Sequence, residues 1–140
     1  MKNLLIRVCF VCLLCNSCKS NETSDIKVVK LTETTKSWNG DILPEYPKGQ
    51  PKVSILRITI PPKKKLEIHK HPEINAGVLL KGALTVISEK NDTLYLKKGD
   101  PIVELVNTWH YGKNEGAVPA EIIVFYAGIQ GTPITVLKHE

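Results

Sequence analysis

Between Val53 and Leu137 the chain is a series of short runs rich in β-branched and aromatic residues, cut about every ten positions by turn residues. This rhythm constrains the fold more than any other feature. The runs are Val53–Ile60, Leu66–Lys70, Gly77–Leu80, Ala83–Ser88, Thr93–Leu96, Ile102–Val106, Glu121–Tyr126 and Ile134–Leu137. Between them stand Pro61-Pro62, Lys81-Gly82, Asn91-Asp92, Gly99 to Pro101, Asn114 to Gly116 and Gly128 to Pro133. No segment keeps a 3.6-residue apolar period for three turns, so helices are not expected. With a further run at Ile26–Leu31, about nine strands at this spacing predict an all-β domain: an antiparallel sandwich, jelly roll or small barrel. Lys63, Lys64 and Lys65 follow a Pro-Pro turn and read as a solvated hairpin tip that discourages edge pairing.

The cysteines narrow the chemistry. Cys9, Cys12, Cys15 and Cys18 are the only four in the chain, so the 122 residues after Cys18 contain neither a catalytic thiol nor a disulfide. They lie in a segment with Lys2 and Arg7 first, an uninterrupted apolar run from Val8 to Cys15, and small polar residues after it, the order of a secretory signal peptide. That run is far shorter than the roughly 20 residues a permanent membrane helix needs. Apolar neighbours argue against reading the Cys-x-x-Cys spacing as a metal or iron–sulfur site. The segment resembles a bacterial lipoprotein signal, which implies lipidation of Cys18 after Ser17 and a protein held at the cell envelope. Asn16 and Cys15 depart from that motif, and the alternative is a cleaved signal with a secreted product. The expected organisation is a signal at 1–18, a tether, edge strand and loop at 19–50, and a β-barrel domain at 51–140. Beyond the leader, 17 basic residues face 14 acidic ones; a net charge of +3 is too mild to argue for nucleic acid.

His69 and His71 are two apart. On a strand their side chains leave one face with Cα atoms roughly 6.6 Å apart. Two imidazoles so placed can converge on one ion at about 2.0–2.2 Å each, with His110, at a strand start after a loop, as the available third nitrogen. The alternative is a solvated strand that turns Leu66 and Ile68 inward and leaves the imidazoles in water.

Residue order then points to a family. His69, His71, Asn75 and Gly82 in one stretch, and Gly99, Leu105, Asn107, His110 and Asn114 in a second, resemble the two cupin motifs in their proper order. The resemblance runs from about Val53 to Gly128 and implies a double-stranded β-helix, or jelly-roll barrel. It also implies that His69, His71 and His110 are ligands to a divalent transition metal: iron, zinc, nickel, copper or manganese. The family's glutamate ligand falls on Asn75, so the resemblance implies a three-histidine site completed by Asn75 or water and one negative charge short, with Glu73 nearby if the turn were shifted. Gly82 and Gly99 match family glycines at turns that need positive φ. Leu105 and Asn107 replace a motif proline and glycine, and Asn tolerates that conformation.

No nucleophile elbow, phosphate-cradling loop or dinucleotide fingerprint occurs. Glu67, on the histidines' face, and Glu104, just before the second-motif turn, are the candidate catalytic acids or bases, with Tyr111 and Tyr126 behind them. Trp109, beside His110, is a candidate cavity wall or core residue. Two functions stay open: a module that binds a small polar ligand or the metal itself at the envelope, and a metal-dependent enzyme of dioxygenase or isomerase type. Apolar residues on both faces of strands such as Val53–Ile60 lead us to expect a homodimer, since a second apolar face needs a cover.

Overall fold

The computed structural model describes residues 25–139; Cys18 and the rest of the leader lie outside them. The fold is all-β. Nine strands form among the described residues: β1 (Pro51–Ile60), β2 (His69–Lys70), β3 (Ile74–Lys81), β4 (Ala83–Ser88), β5 (Thr93–Lys97), β6 (Pro101–Val103), β7 (His110–Lys113), β8 (Ala120–Ile129) and β9 (Val136–Leu137). They make two antiparallel sheets, in the orders β1-β8-β3-β6 and β5-β4-β7-β2-β9. This is the expected double-stranded β-helix. Among the described residues no helix is long and apolar enough to cross a membrane.

Alternation explains how the sheets close on each other. Along β8, Ala120, Ile122, Val124, Tyr126 and Gly128 are buried while their neighbours are more open, the period of two that a pleated strand imposes. Ile60 and Leu79 join them from one sheet, and Leu84, Val86 and Leu96 face them from the other. Burying a leucine such as Leu79, which has no exposed surface, contributes about 2 kcal/mol. The outward side of the first sheet is also apolar. Val53 and Ile55 on β1 and Phe125 on β8 are exposed there, and Ile55 pairs directly with Phe125.

Two turns require the residues they have. Gly82, between β3 and β4, has φ +74°, and a Cβ there would stand 2.7 Å from the Pro119 carbonyl oxygen. Asn107 takes φ +54° where the family motif has glycine, as expected of an asparagine. Its backbone N–H donates to the His71 carbonyl, 2.8 Å away, tying the second-motif turn to the first-motif strand. Asn114 closes the second motif structurally. Its side-chain amide is shared among the carbonyls of Ile60, Pro61 and Val118, and its oxygen accepts the Gly116 N–H.

The N-terminal part departs from expectation. Ile26–Leu31 forms no strand: β-branched residues alone do not make one without a ladder to a neighbouring strand, and Ile26, Val28, Val29 and Leu31 are all exposed. Lys30 to Thr32 pass beside Ala76, Val78 and Phe125 on the outside of the first sheet. Residues 35–43, expected as loop, form a small hairpin closed by Lys36 and Ile42 and by the Leu43 N–H to the Thr35 carbonyl. It docks on the barrel through the Trp38 backbone N–H to the Val103 carbonyl and the Ser37 hydroxyl to the Glu104 carbonyl, 2.9 and 2.8 Å. The folded unit therefore begins before residue 51.

Candidate metal centre

β2 and β7 are neighbours, and His69 pairs directly with His110 across them. His71, two residues on, leaves the same face and is held by a bridge to Val106. All three imidazoles point into the barrel, His71 and His110 buried and His69 half-buried. Solvated histidines over an inward Leu66–Ile68 pair are thus ruled out; Ile68 is itself exposed. The ring centroids are 4.6 to 5.1 Å apart.

Each ring is oriented by its Nδ1. His69 Nδ1 lies 2.7 Å from the Glu67 carbonyl, His71 Nδ1 2.7 Å from that of Ile134, and His110 Nδ1 2.8 Å from that of Thr108. A carbonyl only accepts, so each Nδ1 carries the proton and each Nε2 presents a lone pair. The ligand atoms of the three side chains lie within 4.8 Å of one another. Burial lowers the pKa of all three, that of His71 to about 4, so the rings are neutral at pH 7 and available as ligands.

The carboxylate at this cluster is Glu104. Its side chain lines the same cavity, with Oε2 3.6 Å from His110 Nε2. Neither of those two buried atoms has a hydrogen-bond partner among the described residues. Burial raises the Glu104 pKa to about 7, against the pull of nearby His69, the Leu105 backbone and the Trp38 indole. The buried Trp38 indole N–H lies close enough to favour the charged form without making a well-formed bond of its own. The donor set suits a transition ion: three neutral imidazoles, one carboxylate, and orphaned buried atoms that an ion would satisfy.

The other candidates lie elsewhere. Glu67 is exposed and lines the cavity edge, its carbonyl orienting His69. Asn75 is buried on the inward side of β3 but does not line the cavity, and its amide donates to the Glu73 carbonyl at 3.3 Å. Glu73 does not replace it: its carboxylate packs over Gly128 and accepts the Ile129 N–H at 3.0 Å. Tyr126 lines the cavity with its ring 5.4 Å from His71, and burial raises its pKa to about 12. Tyr111 carries the Lys65 ammonium over its ring, while Trp109, with Lys70 and Lys138 over its face, lies outside the cavity wall.

The cavity below the histidines has a volume of about 370 Å³. Leu56, Ile58, Ile60, Leu84, Ile122 and Val124 form its walls; among the described residues no lysine or arginine lines it. It is an apolar chamber with one polar end.

A family model described as Cupin domain matches residues 56–126, just over half the chain and including all three histidines. Among solved structures, an oxalate oxidase in complex with the substrate analogue glycolate is 24% identical with a TM-score of 0.53, covering 61% of this chain and 45% of its own. DMSP lyase DddQ from Ruegeria pomeroyi is 18% identical with a TM-score of 0.55, covering 71% and 47%. An uncharacterized double-stranded β-helix protein from Klebsiella pneumoniae is 17% identical with a TM-score of 0.52, covering 69% and 90%. These likenesses concern the fold, and this chain spans less than half the length of the oxalate oxidase. No curated protein matches it.

Proposed function

Because the chain belongs to the cupin domain family, we propose that it is a metal protein in which His69, His71 and His110 hold one divalent transition ion at the polar end of a small-molecule cavity. One observation carries this reading: three Nδ1 protons committed to backbone carbonyls leave three Nε2 lone pairs turned towards one another. Buried, neutral and pre-oriented imidazoles have little use in a barrel core other than ligation. Iron, zinc, nickel, copper and manganese all suit the donor set. The ion, when bound, supplies Lewis-acid polarisation of an oxygen ligand.

The polar ligand expected from the sequence gains a refinement from the walls. A molecule with an oxygen-bearing head and an apolar body fits a chamber whose remaining lining is aliphatic. Any negative charge on that head would face the ion alone, since among the described residues no basic side chain lines the cavity. At the level of the whole protein we retain the reading of an exported, lipid-anchored binding module of the cell envelope that acts as a homodimer. Residues 25–36, largely exposed, would stand between anchor and barrel. Val53, Ile55 and Phe125 would supply the apolar face that a second subunit covers.

A metal-dependent enzyme is the second reading. Glu104 favours it: a buried carboxyl titrating near neutrality beside the histidines has the properties of a general acid or base. The glycolate-bound oxalate oxidase and a formate-bound oxalate decarboxylase from Lactobacillus farciminis suggest small carboxylates as first candidates for turnover.

Elemental analysis of protein purified without a metal-affinity tag tests the centre. We expect about one transition ion per chain, lost in His71→Ala while the β-sheet circular dichroism is retained. Failure of the wild-type protein to take up any of the five metals overturns the proposal.

A further inference from the structure

The family's first motif places a glutamate ligand where this chain has Asn75, yet the barrel does not lack a carboxylate at that spot. The ladder between β3 and β6 pairs Ala76 with Val103. One step further along, Asn75 faces Glu104, whose N–H donates to the Asn75 carbonyl at 3.0 Å. The two positions are thus direct cross-strand neighbours, about 5 Å apart on the same wall of the barrel. Asn75 turns its amide away to the Glu73 carbonyl, and Glu104 sends its carboxyl to the histidines.

We propose that Glu104 is the carboxylate ligand of the metal centre, having taken over from the adjacent strand the role that position 75 has lost. This rests on the metal reading above. Its support is the pairing of two acceptors. His110 Nε2 carries a lone pair because its Nδ1 proton is given to Thr108. Glu104 Oε2 faces it at 3.6 Å, and neither atom has another partner. Two buried acceptors in that arrangement ask for a cation between them. A supporting role, in which a carboxylate receives the distal N–H of a ligand histidine, is closed to Glu104, because it faces the ligating nitrogen. The backbone holds the arrangement on both sides: the Ser37 hydroxyl donates to the Glu104 carbonyl, and Trp38 is bonded to Val103. The centre would then be three histidines and one carboxylate, with net charge +1 for a divalent ion.

The test is zinc and manganese affinity of wild type, Glu104→Gln, Asn75→Glu and the double variant, by competition with a chromophoric chelator. The Co(II)-substituted visible spectrum serves as a second readout. We expect Glu104→Gln to weaken binding at least tenfold and to alter the cobalt bands, and Asn75→Glu in that background to restore most of the affinity. If Glu104→Gln binds within twofold of wild type with unchanged cobalt bands, while His71→Ala binds nothing, the centre exists and Glu104 is not its ligand. If wild type binds neither ion, the centre itself falls and this assignment with it.

Discussion

Replacing Glu104 by Gln should stabilise the metal-free protein in a pH-dependent way. The Glu104 carboxyl is almost wholly buried, and burial lifts its pKa from 4.5 to about 7. The folded state therefore holds the proton more tightly than the unfolded chain. Relative to a neutral side chain, stability is fully present below pH 4.5 and is lost as pH rises through about 7. The gap between those two values corresponds to about 3 kcal/mol once both states are ionised. Gln copies the neutral form, so the variant should match wild type near pH 4.5 and exceed it by up to about 3 kcal/mol at pH 8. The histidines act in the opposite sense: His71, with its pKa lowered to about 4, adds stability as pH rises from about 4 to 6.5. That contribution is common to both proteins and leaves their difference nearly untouched. The assay is urea unfolding of chelator-treated protein at pH 4.5, 6 and 8, followed by circular dichroism. A difference that stays constant across this range refutes the reasoning, for it would mean that Glu104 is ionised equally in both states. With saturating zinc the gap at pH 8 should shrink by at least about 1.4 kcal/mol, because wild type binds the ion at least tenfold more tightly than the variant.

Gly82→Ala should cost more than about 2 kcal/mol, since the new Cβ meets the Pro119 carbonyl at 2.7 Å in a backbone of positive φ; thermal unfolding reads it. Gly99→Ala has a similar φ but nothing within 4 Å of the added atom, so it should cost only about 1 kcal/mol. Cys18→Ser should move the protein from the membrane to the soluble fraction; unchanged membrane association would leave a signal peptide without a lipid. Sedimentation equilibrium at micromolar concentration should give twice the chain mass, and Phe125→Lys, which places a charge on the exposed apolar face, should return it to one.

Much of the molecule is legible in its sequence because the signals are local. Two-residue alternation and turn residues mark β1, β3, β4, β5, β6 and β8, while β7 falls in none of the expected runs and is signalled only by His110 as a strand start; the His69–His71 spacing puts two imidazoles on one face whatever surrounds them. Gly82, Gly99 and Asn107 announce left-handed turns by their side chains or the want of one. The short strands were less legible. β2 and β9 keep only two residues each of the longer runs expected there, because a strand ends where its partner does. Ile26–Leu31 has the composition of a strand but joins no ladder.

The carboxylate of the site was decided only in three dimensions. Glu67, Glu73 and Glu104 each stand near a motif histidine or motif turn in the sequence, and nothing local ranks them. One ended exposed at the cavity edge, one packed over Gly128, and one against His110. Glu104 owes its place to the β3–β6 register and to Ser37, a residue 67 positions away. Alternation along a strand follows from its own pleat. Which side chain of a neighbouring strand enters the same cavity depends on how two distant segments are aligned, and that alignment is set by the packing of the whole barrel.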